Sequence, residues 1–200
     1  MEKQLIITVG REFGSGGHWI AVELSKRFHL NFYDDNLLEE VADKLNMKKS
    51  DLKEFDNVET ESSFFTRNYR GSTTSINDHL ANMQFDLLSD MAQAGESYVV
   101  VGRCAETILK NHPCVFTIFV LGDTDSKKER VMDVYNLTEK ESLSMMKKMD
   151  RKRKMYHNYF CDGKWGDSRN YDISVNSSKL GLKHTVDMLE AMIRKWMEIS

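Results

Sequence analysis

A single proline, three cysteines and the absence of any long apolar run set this 200-residue sequence apart first, and each scarcity removes a class of protein. One proline, Pro113, is incompatible with a collagenous or proline-rich extended chain. The cysteines, Cys104, Cys114 and Cys161, are odd in number, widely spaced and without metal-ligand spacing. A disulfide scaffold and a zinc module are therefore not expected, and a reducing cytoplasm suits the thiols. The longest apolar stretch, near Val115 to Leu121, falls far short of the roughly 20 residues of a spanning helix. The opening MEKQLIITVG has neither the basic start, the apolar core nor the cleavage site of a signal peptide, so neither export nor a membrane partner is expected. A strong charge of one sign is missing too: 28 Lys and Arg stand against 31 Asp and Glu, for a net −3.

What remains is an ordinary globular composition, 40% apolar, in one domain long enough to bury ~70% of its unfolded surface. Five short β-branched segments punctuate it: Leu5–Val9, Asn31–Tyr33, Tyr98–Val101, Cys114–Leu121 and Ile173–Val175. Four of them run continuously apolar rather than alternating, as strands covered by helices on both faces do, while Asn31–Tyr33 is too short to carry that pattern. Helical periodicities lie between them. Ile20, Leu24 and Phe28 step by four after the glycines, and Leu37, Val41 and Leu45 repeat the step. A long stripe from Ile76 to Met91 follows the cap candidates Ser72–Thr74 and closes at Gly95. Thr138 and Glu141 have capping-box spacing, and Leu182 to Trp196 form a closing helix expected to pack on the sheet. Strands alternating with helices predict a doubly wound α/β sheet, with ligands beyond the carboxyl ends of its strands. The polar, aperiodic stretch Ser50–Gly71 is expected to be an insertion over that site.

The most informative segment is Ile6 to Ile20, a strand, a glycine turn and a helix start. Gly14, Ser15, Gly16 and Gly17 let the backbone fold into a nest whose N–H groups, with the first helical turn, favour an anion such as a phosphate chain. The strict P-loop spacing fails here, because Arg11 occupies the first glycine, Gly17 the lysine and His18 the Ser/Thr. From these residues alone, a tight strand-to-helix connection stays open as the plainer reading.

The string REFGSGGHWIA, the strand ending Phe32-Tyr33-Asp34, VVVGRCAETIL, DRKRKMYHNYF and KWGDSRNYDISVNSSKLG together resemble the bacterial cytidylate-kinase-like family of P-loop proteins. The likeness runs from first strand to last helix and is weakest between about Asp51 and Thr74. It implies a three-layer αβα sandwich with a five-stranded parallel sheet of nucleotide-kinase type. It also implies one domain over 1–200, with an acceptor-binding helical insertion at 34–95 and a lid at 138–170. The implied activity is transfer of the γ-phosphoryl group of ATP, with Mg²⁺, to a nucleoside monophosphate, CMP or dCMP first. In that reading Arg11, Gly14, Ser15, Gly16, Gly17, His18 and Asn176 hold ATP, and Asp34 and Arg103 hold the acceptor. Arg103, Arg151 and Arg153 supply charge to the transferring group, and Arg130 ties its helix to the lid. Asp34 also suits a helix cap, and Asn176 an Asx turn. Cys104 stands where the family relative has an acid, and reads as a small buried side chain.

The basic run at 147–154, six bases and one acid, falls in the implied lid. With Tyr156, Tyr159, Phe160 and Trp165 it has the outline of an RNA-binding patch, but five net charges are a small footprint for nucleic acid. Small-molecule nucleotides are thus the expected partners. A nucleotide-binding regulator with little chemistry, and a kinase for another small phosphate acceptor, remain the competing readings.

Overall fold

The computed structural model describes residues 3–34, 37 and 76–199, and elements are numbered over these. Most of the implied insertion, including the stripe through Val41 and Leu45, the caps Ser72–Thr74 and the stretch Ser50–Gly71, lies outside the described residues.

Five strands, β1 (Ile6–Arg11), β2 (Asn31–Tyr33), β3 (Tyr98–Val101), β4 (Val115–Leu121) and β5 (Ile173–Asn176), form one sheet in the order β2-β3-β1-β4-β5. Every pairing is parallel. The continuous apolar runs are explained by burial on both faces. Ile7, Val9, Val99, Val101, Ile118 and Val120 point to one side, under α1 (Gly17–Phe28) and α6 (Ser177–Ile199). Ile6, Tyr98, Val100 and Val115 point to the other, under α2 (Ile76–Gln93) and the single turn α3 (Ala105–Ile108). Each fully buried aliphatic side chain in these layers contributes roughly 1.5–3 kcal/mol. β1 runs two residues past the apolar run because its ladder with β4 continues through Gly10↔Phe119 and Arg11↔Val120. That extension carries Arg11 to the sheet's carboxyl edge.

Two further helices lie beyond β4. α4 (Thr124–Tyr135) is followed by α5 (Glu139–Phe160), which starts at the expected capping box: Glu141 accepts from the Thr138 N–H at 2.9 Å, and Thr138 accepts from the Glu141 N–H. A third cluster of Phe13, Val131 and Met146, flanked by Leu143 and Met149, fastens α5 to α4 and to the glycine turn. The closing helix begins earlier than its stripe, at Ser177, and breaks at Gly181, where φ is +72°. Beyond the break Val186, Leu189 and Ile193 are buried against the sheet. Among the described residues no helix is long and apolar enough to cross a membrane.

Candidate active site

The glycine turn sits at the carboxyl end of β1, between the ends of β3 and β4. Gly14 and Gly16 adopt φ of +79° and +80°, a conformation that costs other residues roughly 1–2 kcal/mol. At Gly16 a side chain would also run into Leu182 of α6. The turn is fixed from within and from afar. Ser15, fully buried, donates to the Glu12 carbonyl at 2.8 Å and accepts from the Gly17 N–H at 3.3 Å. Ser177 donates to the Ser15 carbonyl at 2.6 Å, Arg130 donates to the Gly14 carbonyl, and Asp150 accepts from the Phe13 N–H at 2.6 Å. Glu12 is held by Lys127 at 2.7 Å and by the Gly122 N–H at 3.3 Å. Burial pushes the Asp150 carboxyl up, with the Phe13 N–H opposing it, and burial also lowers the Arg130 guanidinium.

Arg11, His18 and Asp34 meet beside the turn: His18 Nδ1 lies 2.7 Å and Arg11 3.4 Å from the Asp34 carboxylate. The Arg11 side chain lies over Gly17, where an added Cβ would fall 2.5 Å from the Arg11 Cβ. A lysine at 17 and an arginine at 11 could therefore not share this geometry. Across the β1–β3 pair, Gly102, Arg103 and Cys104 are all left-handed, with φ of +73°, +57° and +56°. Two successive non-glycine residues in this region store strain, and the turn they make brings Arg103 and Cys104 to the cavity wall.

One cavity of about 820 Å³ unites these parts. It brings together Arg11, Gly14, Gly16, Gly17, His18, Asp34, Arg103 and Arg153 of the expected site, and adds Arg130 and Lys152. Three expected residues are not among its lining. Ser15 is fully buried beneath the turn, Arg151 is exposed on the far side of α5, and Asn176 donates to Asp123 at 2.8 Å while accepting from the Ser178 N–H at 3.0 Å. Asn176 thus serves as the Asx turn at the start of α6. Arg153 donates to the Arg11 carbonyl at 3.2 Å and lies 5.4 Å from the Phe13 ring centre, so α5 rests on the glycine turn. Arg130 ties its helix to that turn rather than directly to the implied lid. Tyr156 and Tyr159 pack on Phe160 at 4.9 and 4.8 Å, and Trp165 on Phe119 at 5.5 Å.

Residue spacing gave no sign of Glu12, Lys127 or Asp150, whose partners lie more than a hundred residues away. A second omission is the buried pair of Glu106 and His157, 2.7 Å apart at the inner end of the cavity. Its two members lie 51 residues apart, with no spacing signal to join them.

A parallel sheet in this strand order, with a glycine turn after its first strand and basic side chains around it, defines a P-loop kinase fold. The chain belongs to the cytidylate kinase-like family, whose match runs over residues 6–179. It is 39% identical to an uncharacterized protein from Eubacterium ventriosum, with 96% of this chain and 99% of that chain covered and a TM-score of 0.75. Two shikimate kinases share the fold at much lower identity. That of Bacteroides thetaiotaomicron is 11% identical, with 95% and 98% covered and a TM-score of 0.55. That of Acinetobacter baumannii, solved with shikimate, is 10% identical, with 96% and 94% covered and a TM-score of 0.51. No curated protein matches the chain.

Proposed function

We propose that the protein is an ATP-dependent nucleotide kinase that transfers the γ-phosphoryl group of ATP to a nucleoside monophosphate, CMP or dCMP before others. The observation that carries this reading is the convergence of Arg11, Arg103, Arg130, Lys152 and Arg153 on the cavity at the glycine turn. Phosphoryl transfer asks a protein mainly to align donor and acceptor and to set positive charge at the transferring oxygens. The turn suits a phosphate chain, since glycines packed against Val131, Leu182 and Arg11 let the backbone bend tightly ahead of a helix N-terminus, where an anion is favoured. Arg11 takes over from the missing lysine, as its stem crosses the residue-17 position. His18 is no oxygen ligand; of the carboxylates at the cavity, Asp34, shared here by Arg11 and His18, would hold hydrated Mg²⁺, the remaining positions falling to phosphate and water. Bound there, Mg²⁺ would neutralise phosphate charge. Arg103, beyond the adjacent strand, offers a bidentate fork to the acceptor's phosphate. Arg153 shields the transferring group from water when α5 packs over it.

Coupled ADP release tests this with a panel of nucleoside monophosphates and, as an alternative small acceptor, shikimate. Turnover with CMP or dCMP above the ATP-only rate is expected. No turnover with any acceptor refutes the kinase reading. ATP binding by calorimetry without turnover would instead favour a nucleotide-binding regulator, the reading that Gly17 and His18 support.

A further inference from the structure

The face of α5 that meets the cavity changes character within one turn. Met149, Lys152, Arg153, Tyr156 and His157 line the cavity, their spacing of three and four placing them on one side of the helix. Lys152 and Arg153 are cationic. Tyr156 and His157 stand four residues on, about 6 Å further along the helix axis, and bring a phenol and an imidazole instead. Trp165 and Tyr171, packed on Phe119 at 5.5 and 5.0 Å, add aromatic surface to the cavity wall. Positive charge at one end and rings at the other suit a ligand with phosphate on one side and an uncharged planar ring on the other.

The polar element of this inner end is incomplete. His157 is 4% exposed and its Nε2 lies 2.7 Å from the Glu106 carboxylate, while its Nδ1 has no hydrogen-bond partner. The Cys161 sulfur lies within 4.8 Å of the pair and supplies none. A buried polar atom left unpaired in a cavity wall is costly, and a ligand that pairs it removes the cost. Glu106 fixes the ring by accepting from Nε2, and a carboxylate at this distance favours the charged imidazole. Burial opposes that charge, but Cys161 and Glu106 beside the ring outweigh it and raise His157 to about 10, so Nδ1 carries a proton to donate.

We propose that His157 is a specificity-determining residue for the phosphate acceptor: its Nδ1–H donates to a carbonyl oxygen on the acceptor's ring, with Glu106 behind it as the positioning residue. The inference rests on the kinase reading, in which Arg103 holds the acceptor's phosphate three residues before Glu106. Both residues line the cavity, so one turn after β3 serves the two ends of the acceptor. The substrate class is then a sugar phosphate bearing an oxo-substituted ring, as the pyrimidine nucleotides are. A sugar phosphate without a ring would leave Nδ1 buried and unpaired, and is discriminated against for that reason.

The test compares CMP with ribose 5-phosphate, which keeps the phosphate and pentose but has no base, by calorimetry on the full chain without ATP. CMP should bind wild type roughly 10–100-fold more tightly. His157→Gln can still donate to Glu106, and in this variant the advantage should largely vanish while ribose 5-phosphate binding and the KM for ATP hold. Nitrogen-15 spectra of histidine-labelled wild type give a readout that needs no variant: the His157 Nδ1 resonance should move with CMP and stay in place with ribose 5-phosphate. An undiminished CMP advantage in folded His157→Gln, or a His157 resonance that CMP binding leaves unmoved, overturns the proposal. Neither measurement requires turnover, so a chain that phosphorylates CMP with His157 unmoved refutes this inference alone. A chain that binds no nucleoside monophosphate refutes both it and the kinase reading.

Discussion

Replacing His157 by leucine should be among the most damaging single changes in the described residues. Leucine fits the buried site but leaves the Glu106 carboxyl, 5% exposed, without its 2.7 Å partner. Breaking one side of a buried ion pair costs roughly 3–5 kcal/mol, and with both groups this deeply buried solvent screening gives little relief. For a chain of this size each kcal/mol lowers the melting temperature by about 2–4 °C, so a fall of about 6–20 °C is expected by calorimetry. The reasoning stands on the double variant. Glu106→Leu with His157→Leu removes both charges and should regain most of the loss, since a well-packed apolar replacement of a buried pair is often neutral. If the two single losses instead add to within about 0.5 kcal/mol in the double variant, the groups are not coupled and the argument fails.

The same pair gives a pH dependence. His157 sits near about 10 in the fold against 6.5 unfolded, so its contribution is complete below pH 6.5 and disappears as the pH rises through 10. The stability gap between wild type and His157→Leu in urea titrations should narrow over that window. Gly16→Ala should lower melting by about 2–8 °C and weaken ATP binding in calorimetry, from roughly 1–2 kcal/mol of left-handed strain plus contact with Leu182. Ser177→Ala strips the buried Ser15 carbonyl of its donor and should cost about 1–3 kcal/mol in the same titrations. On the kinase reading, Arg153→Ala should reduce kcat by about 10²–10³ with little change in the KM for ATP, and equal losses in both would contradict its role.

Much of the fold was legible because its signals are local. Strands buried on both faces are apolar along nearly their whole length, as Tyr98–Val101 is throughout and Val115–Leu121 is apart from Thr117. The capping box at Thr138 and the glycine turn are signatures of a few adjacent residues. The end of β1 was not, because Gly10 and Arg11 look like turn residues and are strand only through pairing with β4. The early start of α6 was hidden by the break at Gly181. Within the site, Gly14, Gly16, Gly17, Arg11, His18, Asp34, Arg103 and Arg153 line one cavity. Arg151 does not, since it stands on the opposite side of α5 from Arg153, two positions along a helix being a little over half a turn. The Glu106–His157 pair joins elements 51 residues apart, a distance over which no local pattern operates.

The glycine turn is encoded near the start of the chain, yet its backbone is held by groups 116, 137 and 162 residues further on: Arg130, Asp150 and Ser177. During synthesis the loop is thus made well before the groups that complete it. Contacts of such long separation form late in folding, after loop closure has been overcome. Nucleotide affinity acquired by a growing or refolding chain would therefore report that α6 has docked, making ligand binding a clock for the final step of assembly rather than for the appearance of its motif.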